Sequence, residues 1–122
     1  MSEPWKSERR PPPPGTDVCA AADVVDGKAK VVPIGRGWPG VELIVVREGT
    51  VVCAYINECA HMAVPLNLLD DFGVATTRHQ MHCDHHYATF RFSDGYCVAG
   101  PCEGDSLTAV PLATRAGRIV IA

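Results

Sequence analysis

The sequence is short of several things, and each shortage removes a class of function. No apolar run in its 122 residues approaches the ~18 needed for a membrane helix. The formal net charge is −3, with no concentrated basic stretch, so the electrostatic footprint of a nucleic-acid binder is missing. No segment sustains a 3.6-residue apolar period, which argues against long amphipathic helices. No nucleophile–base motif, no phosphate-cradling glycine loop and no internal repeat stand out. The chain opens Met-Ser-Glu-Pro-Trp-Lys, without an apolar leader. Arg9-Arg10 runs into Pro11 to Pro14 and Gly15, not into the apolar segment an export signal requires. The expectation is a cytoplasmic protein with no membrane and no nucleic-acid partner, of a length that fits one domain.

Cysteine, by contrast, is plentiful, with six in this short chain. A disulfide framework or a metal site are the two readings of such a count, and a reducing compartment favours metal. Residues 1–15 are charged and proline-rich, and four successive prolines can neither enter a helix nor pair in a central strand. They read as a flexible tail. Residues 16–122 read as a single all-β domain of short apolar runs between turn signals. Val41 to Arg47 and Thr50 to Ile56 form an expected hairpin about Glu48-Gly49. Phe90 and Phe92 alternate about Arg91 before Asp94-Gly95 turns into Tyr96 to Val98. Leu112 to Arg115 and Arg118 to Ile121 flank Ala116-Gly117 in a last hairpin. Pro65 to Phe72 has room for one helical turn. Two stretches do not read as strands, Asn57 to Asn67 and His79 to Tyr87, and both carry cysteine and histidine.

The first of these contains Cys59-Ala60-His61 and the second Cys83-Asp84-His85-His86. Each offers a thiolate and an imidazole close enough for one turn of backbone to aim both at one point. Two sulfurs and two nitrogens suit a tetrahedral zinc site. They equally suit a two-iron, two-sulfide cluster with cysteines on one iron and histidines on the other. Ligand count leaves both open.

The surrounding residues carry a resemblance. Cys59-Ala60-His61 is followed by Met62-Ala63-Val64-Pro65-Leu66. Cys83-Asp84-His85-His86 has Phe90 four residues on. Gly95, Gly100-Pro101 and Leu107 come after, and Asn57 stands two before the first cysteine. In these features the chain resembles the Rieske [2Fe–2S] ferredoxin family from about Val18 to its C-terminus. The resemblance implies an antiparallel β sandwich or barrel carrying a small cluster-binding subdomain. Its cluster loops would lie at about 57–67 and 79–90, and a cover loop at about 98–104. It implies one [2Fe–2S] cluster held by Cys59, His61, Cys83 and His86, with Pro101 shielding it.

The match has departures. The spacer between the boxes, residues 62–82, is longer than is common in the family, so Asp70 to Arg78 is expected to bulge outward at little entropic cost. Ala63 and Tyr87 stand where glycine is frequent, and Ala60 and Asp84 where proline is. His85 sits at Cys-x-His spacing and competes with His86, which the family pattern favours. His79 and His82 are expected to face solvent. Val64 and His85 occupy the positions bridged by a disulfide in the respiratory proteins, so that bridge is absent. Cys19 and Cys53 read as small buried hydrophobes. Cys97 and Cys102 are spaced to permit a local disulfide.

The function implied is one-electron transfer. The respiratory type places hydroxyl donors where this chain has Ala88 and Phe90, so a potential at the low end of the Rieske range is expected, as in ferredoxins serving oxygenases. The expected partners are a reductase and an oxygenase, met through a modest patch about His61 and His86, with the protein itself a monomer. It is not expected to be an enzyme, because the family's oxygenases need a second, mononuclear iron in a far larger domain. Two alternatives are a small Rieske subunit of a nitrite-reductase-like complex and a non-redox Cys2His2 zinc module that binds a partner protein.

Overall fold

The computed structural model describes residues 14–34, 41–58, 66–67, 74–83 and 88–122. The expected tail lies outside them except for its last two residues. Of these, Gly15 already donates its N–H to Ile121 O at 2.6 Å. The expected helical turn over Pro65 to Phe72 also lies outside them, apart from Leu66 and Asn67.

Among the described residues, eleven strands form three antiparallel sheets. The first joins β1 (Asp17–Ala20), β11 (Arg118–Ile121) and β10 (Leu112–Arg115). The second runs β2 (Ala29–Ile34), β3 (Val41–Glu48), β4 (Val51–Ile56) and β9 (Ala109–Val110). The third runs β5 (Ala75–Thr77), β6 (Gln80–His82), β7 (Thr89–Arg91) and β8 (Cys97–Ala99). A 3₁₀ turn, Ala21–Asp23, follows β1. The last hairpin has the bounds read from the sequence.

The second sheet is the middle layer. Side chains alternate across a strand, and β3 feeds a different core from each face. Leu43 and Val45 join Val18, Ile56, Ile119 and Ile121 on one side. Ile44 and Val46 join Tyr55, Met81, Phe90 and Phe92 on the other. Residues 43–46 are all 0–1% exposed. This double burial is why β3 reads as an unbroken apolar run where a one-sided strand would alternate. Between β3 and β4, Glu48 pairs with Val51 and Gly49 has φ +63°. That suits the first central position of a two-residue hairpin turn. Its N–H donates to Asp26 Oδ1 at 2.8 Å.

The third sheet departs from the sequence reading. Residues 79–87 read as strand-free, yet Gln80–His82 pairs with both β5 and β7. β5 lies inside the stretch expected to bulge, of which residues 70–73 fall outside the description. The turn between β5 and β6 has φ +51° at Arg78 and +59° at His79. Residues with side chains rarely adopt this left-handed conformation. Neighbours hold it in place. Phe92 N–H donates to His79 O at 3.0 Å. The His79 ring lies 3.0 Å from Asp26 Oδ1 and stands edge-on to Phe92.

Candidate metal centre

Each candidate loop is closed at its base by hydrogen bonds on residues the strands hold still. For the first, Asn57 follows β4 directly and is the buried polar residue among those described, 4% exposed. Its side-chain oxygen accepts from Leu66 N–H at 2.9 Å. Its amide NH₂ donates to Glu42 Oε1 at 2.7 Å and to Asn67 Oδ1 at 2.9 Å. Its backbone N–H donates to Glu42 O at 2.8 Å. Asn57 therefore ties both ends of the 58–66 segment to β3. A buried amide with both donors and its oxygen engaged incurs no desolvation penalty and rigidifies what it joins.

For the second loop, Cys83 leaves β6 fully buried, at 0% exposed. Its N–H donates to Ala88 O at 2.8 Å, which ties together the two residues that flank 84–87 and makes a closed neck there. Ala88 is also 0% exposed. Gly100, with φ +100°, lies against it so closely that an added Cβ would stand 2.7 Å from Ala88 Cα. The Gly-Pro loop thus packs directly on the neck of the second loop. Leu66, Cys83, Ala88, Cys97, Cys102 and Leu107 belong to one buried cluster, which brings the two loop bases and the cover loop to one end of the third sheet.

Of the four expected ligands, Cys83 is described. Cys59, His61 and His86 lie outside the described residues, as do His85, Tyr87 and Pro65. Among the described residues no three His, Cys, Asp or Glu side chains gather about one point. The placement of Cys83 fits a cluster ligand, because its sulfur sits at the buried base of a pinched loop that carries a histidine.

The other cysteines and histidines differ in part from expectation. Cys19 is buried as read, but Cys53 is only partly so. Burial pushes both thiols above the ordinary range. His82 lies in β6, not in an open loop, with Nδ1 3.1 Å from Thr89 Oγ1. The anchoring by Glu42 and Asn67 was not found from sequence. An asparagine ending a β-branched run is its only local sign, and nothing near it in the chain points to Glu42.

Comparison with known proteins agrees with the family and the fold. The model of the family described as Rieske [2Fe-2S] domain matches residues 15–114. No curated protein matches the chain. Among solved structures, the Sphingomonas yanoikuyae B1 ferredoxin is 22% identical with a TM-score of 0.68, covering 88% of this chain and 96% of its own. The ferredoxin of carbazole 1,9a-dioxygenase from Nocardioides aromaticivorans IC177 is 24% identical with a TM-score of 0.67, covering 90% and 98%. A chain in the complex of reduced oxygenase and oxidized ferredoxin of carbazole 1,9a-dioxygenase is 23% identical with a TM-score of 0.68, covering 87% and 90%. At such identities these likenesses speak for the fold, which is almost all β and antiparallel in every sheet.

Proposed function

The chain belongs to the Rieske [2Fe–2S] domain family, its cofactor is one [2Fe–2S] cluster, and from that premise we propose a low-potential one-electron carrier that serves an oxygenase. Cys59 and Cys83 hold one iron, and His61 and His86 the other. The observation that carries the ligand assignment is the position of Cys83, buried at the neck of the 84–87 loop. The structures this fold resembles include a ferredoxin in complex with an oxygenase, which supports the choice of partner.

Bound, the cluster supplies a site that accepts and releases a single electron. The chain's residues set how readily it does so. Two neutral imidazoles in place of two thiolates leave less negative charge, so reduction is easier than in an all-cysteine cluster. Hydrogen bonds to the sulfurs raise the potential further. Among the described residues few are on offer. Ala88 and Phe90 bring no side-chain donor. The Cys83 N–H is committed to Ala88 O, and the buried Tyr55 hydroxyl donates to Phe92 O at 2.6 Å. The potential therefore belongs at the low end of the Rieske range of roughly −150 to +300 mV.

A redox titration of the purified protein tests this, followed by reduction with a flavin-dependent reductase and reoxidation by an oxygenase of the same class. A midpoint below zero and single-electron exchange with both partners are expected. A midpoint clearly above zero contradicts the low-potential assignment. Failure to exchange with either partner contradicts the carrier role.

A further inference from the structure

Cys97 and Cys102 lie outside the ligand set, and the fold brings them together. Their sulfurs are 3.1 Å apart, about 1 Å beyond the ~2.05 Å of a disulfide bond. The backbone between them is already folded back on itself. Cys97 N–H donates to Asp105 O at 2.8 Å, Gly104 N–H to Cys97 O at 3.2 Å, and Asp105 N–H to Cys102 O at 2.9 Å. The sulfurs lie inside, on residues 0% and 2% exposed, while residues 99–101 and 103–106 are exposed. A loop with so little buried beyond two thiols opens locally at low cost, which gives a small solute its access. Cys19 packs among aliphatic side chains, and Cys53 Sγ has Ser93 O at 3.9 Å.

We propose that Cys97 and Cys102 are a redox-active dithiol that closes to an intramolecular disulfide and staples the 98–101 loop onto the neck of the second cluster loop. The oxidant is a small-molecule disulfide of the glutathione class. The thiolate of one cysteine attacks it, breaking its S–S bond, forming a mixed disulfide and releasing one small thiol. The thiolate of the other cysteine then attacks the protein-side sulfur of that bond, forming the Cys97–Cys102 bond and releasing a second small thiol. Two electrons pass from the cysteines to the small disulfide, and the two S–H protons end on the released thiols. The consequence follows from Gly100, which lies between the two cysteines and rests on Ala88. Ala88 O in turn holds the Cys83 N–H. Stapling the loop restrains the neck from which Cys83 projects.

The test uses the full-length protein with its cluster in place. It is incubated with oxidised glutathione, quenched in acid, alkylated with iodoacetamide, digested and weighed. The expected product is a Cys97–Cys102 linked peptide, lighter by two hydrogen atoms, unalkylated, and lost on prior reduction. Cys102→Ser should leave a glutathione adduct on Cys97 instead. The stapled protein should also keep its visible absorption through a chelator challenge several-fold longer than the reduced form. Alkylation of both cysteines after oxidation overturns the proposal, as does a bond between Cys59 and Cys83 in its place. Equal cluster lifetimes overturn the stapling role. The mass readout needs no cluster, so failure of the protein to hold a cluster counts against the electron-carrier reading, while the Cys97–Cys102 bond still decides this one.

Discussion

Replacing Asn57 by alanine removes the side chain that ties the first cluster loop to the middle sheet. Leu66 is 0% exposed, and its N–H loses the Asn57 oxygen at 2.9 Å. Leaving a buried donor unsatisfied costs about 1–3 kcal/mol. The bonds to Glu42 and Asn67 are lost as well, but those partners are partly exposed and rehydrate. Each of those bonds counts for about 0.5–1.5 kcal/mol at most. The total is about 2–6 kcal/mol, a large share of the ~5–15 kcal/mol of a typical domain. Urea unfolding of the cluster-free protein, followed by circular dichroism, measures it. The midpoint should fall with the slope unchanged. Asn67→Ala is the control. It removes one half-exposed acceptor of the Asn57 amide and leaves Leu66 satisfied, so its loss should be about 0.5–1.5 kcal/mol, below that of Asn57→Ala. A loss under about 0.5 kcal/mol for Asn57→Ala, or equal losses for the two variants, would refute the assignment of Asn57 as the anchor.

Three further outcomes follow from the same geometry. Gly100→Ala forces φ +100° on a residue with a side chain and sets its Cβ 2.7 Å from the Ala88 backbone. It should cost more than about 2 kcal/mol and shorten the life of the visible chromophore in chelator, and an unchanged lifetime would separate the cover loop from the second cluster loop. Tyr55→Phe leaves Phe92 O without its 2.6 Å donor. It should lower unfolding free energy by about 1–3 kcal/mol while the cluster spectrum stays as in the wild type. The Arg91 guanidinium and the Tyr96 amide hold the Asp94 carboxyl below its usual range. The Gly49 amide and His79 do the same for Asp26, and Arg118 for Asp17. A lowered folded pKa stabilises above the ordinary value of 3.8, and that stability is lost as pH falls through the folded value. The thermal midpoint of the cluster-free protein should therefore drop below about pH 4, and less steeply in Asp26→Asn/Asp94→Asn. All three carboxylates are exposed, so each effect is small.

The strands most legible in the sequence are those whose own residues settle them. Val41–Glu48 and Val51–Ile56 are β-branched runs about a glycine turn, and Leu112–Arg115 and Arg118–Ile121 carry their turn between them. The unbroken apolar run of β3 fits a strand covered on both faces, but the sequence does not say which segments cover each face, and a run of four does not by itself separate a strand from a buried helical segment. β5 and β6 do not show in the sequence because they are three residues each, mostly polar, with Arg78-His79 at a turn that normally asks for glycine or asparagine. Their pairing rests on Met81, buried at the centre of β6, and on contacts with Asp26 and Phe92 far along the chain. The candidate site divides in the same way. Its cysteine and histidine boxes are visible as spacing, whereas the Asn57–Glu42 anchor and the seat of Gly100 on Ala88 depend on register between strands.

One-electron transfer by this chain requires that two thiolates and two imidazoles share the cluster. Pulsed EPR of the reduced protein, grown with isotope-labelled histidine, addresses it. Two histidine nitrogens should couple to the cluster in the wild type and in His85→Ala, and the signal should vanish in Cys59→Ala, His61→Ala, Cys83→Ala and His86→Ala. Absence of histidine coupling, or survival of the full signal in His86→Ala with its loss in His85→Ala, would contradict the ligand set.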